Sequence, residues 1–359
     1  MTSSATPPPA TRLRQLLIGC TGVTLLVAAG CGTASTHSSS ATVTPTDATT
    51  ATSTAAMPVT VKVGYQPDLH GAGVLDIGQA QHFWQRFGVH LDMVQFSSGP
   101  TEMQAMSGGD IQFGFLGPGA VWIPASGRGT IITVDSLEVG DWVIGQPNIS
   151  SLADLKGKRV GYAQGTSGEM ILRLALQRAG LAMHDIQPVS LDATAVVPAF
   201  LSHHIDAAAT WVPLTQAISQ TDPQAHFLIS DSAFATQYSF PDVWVASRSE
   251  VATQPDVVRR FLEGFALAND YRRTHTATAI GLVSNQAGVP AAGLAAQNRA
   301  TVWIPSHTLA DDYANGTADR WIAGLEQLLS TIGKLPQSVP VSQFTSFNLF
   351  QQAEVQAGS

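Results

Sequence analysis

Three short stretches carry residue types that hold small anions. Ser98-Gly99-Pro100-Thr101, Gly117-Pro118-Gly119-Ala120 and Gly165-Thr166-Ser167-Gly168 each sit where a strand-like segment gives way to a helix-like one. A helix start presents backbone N–H groups with no partner inside the helix, together with the positive end of its dipole. Glycine lets an anion approach that backbone, and the hydroxyls of Ser98, Thr166 and Ser167 add donors. Ordinary N-caps and turns use the same residue types, so the pattern alone leaves both readings open. Other chemistries are poorly supplied. Cys20 and Cys31 are the only cysteines, so the chain beyond them has no thiol nucleophile, disulfide or cysteine metal site. The ten histidines show no H-E-x-x-H or comparable spacing, and neither a metal nor a cofactor is expected. His203-His204 lies in a polar turn and reads as solvated.

The elements that must position these junctions alternate strand and helix. Val59–Tyr65 is β-branched and alternating, Val74–Phe87 has helical spacing, and Val89–Phe96 is a second strand. Pro100 suits a first helical turn, and Gly108-Gly109 ends that helix. Ile111–Leu116 and Ile131–Asp135 read as strands around a short helix, Ala120–Ala125. The rhythm continues through Arg159–Tyr162 and the helix Glu169–Ala179 to about Gln216. It predicts an α/β fold with mostly parallel sheets. From Gln254 to about Ile332 the pattern is mainly helical.

The N-terminus has the layout of a secretory signal. Arg12 and Arg14 precede an apolar run, Leu16–Ala29, which ends in Ala28-Ala29-Gly30 before Cys31. The run is shorter than the ~20 apolar residues of a spanning helix. A cysteine directly after small residues resembles a bacterial lipobox, although Ala28 stands where lipoboxes prefer Leu. The resemblance implies lipidation at Cys31 and anchoring to the outer face of the membrane. Gly32–Met57 is nearly all Ser, Thr, Ala and Pro and reads as a disordered stalk. The chain carries a net charge of −8, and removing the two Arg of residues 1–30 leaves −10. With no basic patch, nucleic acid is not an expected partner.

Several phrases, in order, resemble one family: Phe96-Ser97-Ser98-Gly99, Gly108-Gly109-Asp110-Ile111, Leu116-Gly117, the run Ser151–Val160 (SLADLKGKRV), Ala209-Thr210-Trp211-Val212-Pro213 and Pro241-Asp242-Val243-Trp244-Val245. They are similar to the substrate-binding proteins of bacterial ABC importers for taurine, aliphatic sulfonates and nitrate, nearest the taurine-type branch. The resemblance implies an α/β, two-lobed periplasmic-binding-protein clamshell (type II) with a C-terminal helical region. Residues 58–140 and 242–340 would form lobe one, and 141–241 lobe two. Residues 1–30 would be the signal, 31–57 the tether and 341–359 a C-terminal tail. The implied protein is not an enzyme. It is a monomer outside the cytoplasm, tethered by its lipid, that closes on a small ligand and delivers it to a permease and its ATPase.

The resemblance also implies a binding set: Ser98, Gly99, Gly119, Ala120, Thr166 and Ser167 for the sulfonate, and Trp211 for the methylenes. Asp141 and Asp242, at the two crossings between lobes, would take an amine. A solvated turn acid is the alternative for each. Pro118 lacks the N–H that a direct contact would use. Trp142 and Trp244 are expected in the core. Asp68 and His70 are expected to be exposed, with entry into the cleft as the alternative, and Glu138 is a weaker candidate. Nitrate, bicarbonate or a thiamine precursor, or a role as a tethered sensor, remain the other readings.

Overall fold

The computed structural model describes residues 57–357. The expected signal, Cys31 and all of the expected tether except Met57 lie outside that span. Among the described residues no helix is long and apolar enough to cross a membrane.

The chain lays down β1 (Val59–Tyr65), β2 (Val89–Gln95), β3 (Phe113–Leu116) and β4 (Thr130–Glu138), then crosses directly into β5 (Asp141–Gly145). Four strands follow in the second lobe or return from it: β6 (Arg159–Tyr162), β7 (Gln187–Ser190), β8 (Ala207–Trp211) and β9 (His226–Ser230). The chain comes back through β10 (Pro241–Ala246), and β11 (Thr301–Trp303) is added last. One sheet has the order β11-β4-β10-β3-β1-β2 and the other β7-β6-β8-β5-β9. The expectation of mostly parallel sheets is corrected. Pairs of β1 with β2 and β3, and of β6 with β7 and β8, are parallel. The pairs made by β10, β11 and β5 are antiparallel. A strand arriving from the other lobe must run against the one that left for it, so the crossings impose the mixture.

Local signals explain most boundaries. The helix expected over Val74–Phe87 is two helices, Gly71–Ala80 and Phe83–Arg86, because His82 at φ 58° turns the chain between them. The helix Gly99–Gly108 begins with Pro100 in its first turn and ends at Gly109, whose φ of 83° favours glycine.

The core of the first lobe lies under the helix Pro255–Thr274. Val258, Phe261, Leu262, Phe265 and Ala268 recur at helical spacing on its buried face. Phe261 stacks on Phe113 at 4.2 Å, and the fully buried Trp244 packs on Phe115 at 5.7 Å and Phe265 at 6.3 Å. Trp142, by contrast, is only half-buried on the second sheet, edge-on to Phe227 at 5.2 Å. It packs at the margin of the second lobe's core, against the cluster of Ile144, Val196, Phe200 and Ile218, so its expected core position holds only in part. Nor does the segment after residue 340 hang free. Phe344, Phe347 and Phe350 are buried, Thr345 bridges to Ile131, and the helix Asn348–Ala357 packs on Pro255–Thr274. Three phenylalanines in seven residues need a core to cover them.

Phe261→Ala should therefore cost about 3–5 kcal/mol in urea unfolding, since the stacked pair leaves a cavity that cannot collapse. A loss under about 1 kcal/mol would show that the aromatic stack does not organise this lobe.

Candidate functional site

Strand ends from both sheets meet at the crossings and bring a set of charges together. Asp242 of β10 lies opposite Ser136 of β4, while Val243 lies opposite Val134, so Asp135 is an extra residue in the ladder. Such a bulge re-aims side chains. Here it lets neighbouring residues reach one imidazole: Asp135 Oδ2 is 3.1 Å and Ser136 Oγ 3.0 Å from His70 Nδ1. Ser136 Oγ also donates to Asp242 Oδ2 at 2.8 Å. On the other ring nitrogen, Glu138 Oε2 lies 3.4 Å and Thr301 Oγ1 3.2 Å from Nε2. The ring packs against Trp303 at 4.7 Å. Asp68 orients the residue by accepting the backbone N–H groups of His70 and Gly71 at 3.0 and 2.8 Å.

Burial makes this cluster costly unless its charges are matched. Asp135 is well matched. Arg272 Nη2 lies 3.0 Å from its Oδ1, Trp244 Nε1 donates to the same atom at 3.2 Å, and its pKa is lowered: burial raises it, but Arg272 and His70 outweigh that. His70 is pulled down by burial, yet Asp242 and Glu138, with hydrogen bonds from Asp135 and Glu138, carry it well above the usual imidazole value. Its neighbours are under-matched. Burial pushes Asp141 and Asp242 well above the carboxylate range, with Glu138 adding to both. Burial likewise lifts Asp68 to about 6. Glu138 Oε1 and Asp141 Oδ2 are buried with no hydrogen-bond partner among the described residues. Buried acid oxygens in that state need a proton of their own or a donor from outside.

Gln66, Asp68, His70, Gly99, Phe115, Gly117, Ala120, Glu138, Asp141, Thr166, Ser167, Trp211 and Asp242 enclose one small chamber between the lobes. Of the expected set, Gly99, Ala120, Asp141, Thr166, Ser167, Trp211 and Asp242 are brought together here. Ser98 and Gly119 do not line it. The Ser98 hydroxyl is 3.2 Å from Thr101 Oγ1. Gly119 donates its N–H to Ser167 Oγ across the lobes at 3.2 Å. The expectation that Asp68 and His70 are exposed is overturned: they are 5% and 1% exposed. The readable signals were Asp68 two residues before a helix entrance, and two acids, Asp135 and Glu138, in a strand that otherwise reads as core. Asp135, Ser136, Thr301 and Arg272 were missed. An Arg at the buried helical spacing of Phe261, Phe265 and Ala268 was the available clue. His70, Glu138 and Asp242 also have ligating atoms within 4.8 Å of one another, close enough to hold a metal ion.

The lobes are closed upon each other. Trp122 Nε1 donates to Gly165 O at 3.1 Å, Lys334 Nζ to Glu169 Oε2 at 2.8 Å, and Arg173 Nη1 to Ile332 O at 3.2 Å. Gly119 lies in close backbone approach to the other lobe. A Cβ there would lie 2.4 Å from the backbone of Ser167.

Two sheets joined by crossing strands around such a chamber are the periplasmic-binding-protein fold. An alkanesulfonate-binding protein of Xanthomonas axonopodis pv. citri bound to MOPS matches it with a TM-score of 0.66 and 22% identity, over 82% of this chain and 100% of that one. Residues 77–279 match the family described as NMT1/THI5 like, and the chain belongs to that family. A binding protein of Brucella abortus (strain 2308) is 35% identical over 277 residues, 77% of this chain and 87% of its own. The taurine-binding periplasmic protein of Escherichia coli (strain K12) is 25% identical over 78% of this chain and 89% of its own.

The charges set a pH dependence. Glu102 is fully buried, accepts N–H groups from Phe115 and Gln66, and is pushed by burial from 4.5 to about 8. The folded chain then holds a proton that the unfolded chain has released, so stability falls as pH rises from about 4.5 to about 8. Asp68 acts in the same direction from 3.8 to about 6. The urea midpoint of the ligand-free protein should drop between pH 5 and pH 8, and Glu102→Gln should flatten the upper part of that drop. A midpoint that rises over this range would contradict the assignment.

Proposed function

We propose that the protein is a solute-binding protein outside the cytoplasm, tethered through a lipid on Cys31, that serves an ABC importer as a monomer. Its ligand is an aminosulfonate of the taurine kind. The observation that carries the ligand is the pair of buried, unpartnered oxygens, Glu138 Oε1 and Asp141 Oδ2, in a chamber also lined by Asp68 and Asp242. An ammonium group satisfies them. A bare anion such as nitrate or bicarbonate would be pressed against four acids. The sulfonate lies toward Gly99, Thr166 and Ser167, where the helices Gly99–Gly108 and Ser167–Arg178 begin. Trp211 covers the methylenes. The sequence and fold relatives support solute binding in general, and two of them are named for taurine or alkanesulfonate.

Binding and closure are one event in this reading, because the ligand touches both lobes and stabilises only the closed arrangement. The permease and its ATPase then receive the closed form. A divalent cation is the second reading, supported by the approach of His70, Glu138 and Asp242 within 4.8 Å.

A thermal-shift panel separates these. Taurine at about 100 times its dissociation constant should add roughly 2.7 kcal/mol of stability. Ethanesulfonate, which lacks the amine, should add far less, and Asp141→Asn should abolish the taurine shift. A shift with zinc alone would favour the second reading; equal shifts with both sulfonates would remove the amine role from Asp141 and Asp242. Closure has its own test. Gly119→Ala should weaken taurine at least ~10-fold in calorimetry, about 1.4 kcal/mol, while the ligand-free unfolding midpoint stays near wild type. Undiminished affinity would mean that this approach is not part of the bound state.

A further inference from the structure

We infer that the ligand carries an apolar substituent that leaves the charged chamber and occupies a second, outer chamber in the same cleft. The inference rests on the aminosulfonate reading and extends it to a substrate class: substituted aminosulfonates with a free amine and an aryl or branched alkyl group.

The argument is one of space and lining. The inner chamber has a free volume of about 20 Å³, close to what one water-sized group needs. It grips charged groups and leaves no room for a side branch. Past Gln66, Asp68 and Trp211, which belong to both spaces, lies a chamber of about 260 Å³. Its walls come from both lobes. Pro67, Val289 and Pro290 stand on one side, and Trp211, Leu214 and Ala217 on the other. Gln66, Asp68 and Trp211 line both spaces, so a molecule whose head lies among Glu138, Asp141 and Asp242 would extend past those three residues. An indole at the junction and prolines beyond it suit a flat or branched hydrocarbon better than a chain of polar atoms. A larger ligand would also bridge the lobes at a second place and favour closure further. Taurine carries no group that would fill this apolar space.

Ala217 is exposed on the helix Leu214–Thr221, so a large side chain there can fill the outer chamber without disturbing the core. Calorimetry on the full chain would compare taurine with a phenyl-substituted taurine whose amine is free. The substituted compound should bind wild type about 10-fold tighter or more. Ala217→Trp should erase that gain while leaving taurine within about 2-fold. Equal affinity for the two compounds in wild type, or equal weakening of both by Ala217→Trp, would overturn the inference. Should neither sulfonate bind, the aminosulfonate reading fails on its own, and phenethylamine against ethylamine decides the outer chamber. A preference for phenethylamine that Ala217→Trp removes upholds it, and no preference overturns it.

Discussion

The cleft depends on how one buried imidazole shares its charge among too many acids. His70 lies within 3.1–3.5 Å of Asp135, Glu138 and Asp242, and it is almost wholly withdrawn from water. Arg272 and Trp244 satisfy Asp135 from behind. What remains is one cation for Glu138 and Asp242, with Asp141 and Asp68 on the same chamber wall. Buried charges left in that ratio are not tolerated. The acids either keep protons, as the raised values of Asp141 and Asp242 indicate, or receive a cation from outside. The same imbalance thus opposes stability at high pH and, under the proposed function, is what a positively charged ligand group would relieve. Site and stability are two consequences of one arrangement.

That arrangement is a product of the crossings. Asp141 begins the strand that enters the second sheet, and Asp242 stands near the start of the one that returns. Both therefore sit where the lobes hinge, fixed by ladders on one side and open to the cleft on the other. The bulge at Asp135 gives β4 two consecutive polar side chains near the same imidazole, which regular alternation forbids. Closure then requires close backbone approach at Gly119 and Ser167, which a side chain at position 119 would block. In the proposed function, electrostatics selects the ligand's head and the backbone approach at Gly119 lets the lobes shut on it.

Much of this was legible in the residues. Alternation, turn chemistry and the Pro100 and Gly109 signals located most strands and helices, and the ordered phrases identified the two-lobed fold. Asp141 and Asp242 were placed at the crossings by resemblance. What could not be read was the consequence of bringing distant strands together. His70 meets Thr301 across 231 positions of sequence, and Arg272 meets Asp135 across 137. No local pattern records such pairings. Asp68 and His70 looked like loop residues because the loop is polar. They are buried because three strand ends and β11 close over it. The antiparallel pairs of β5 and β10 were hidden for a similar reason, since strand direction follows from the path between lobes and not from local composition.

The central claim is that protons occupy Asp141 and Asp242 until a cation replaces them. Calorimetry of taurine binding at pH 7 in two buffers of different ionisation enthalpy measures this directly. The account predicts proton release, on the order of one per molecule bound, seen as a binding enthalpy that changes with the buffer. The same enthalpy in both buffers, or net proton uptake, would contradict it.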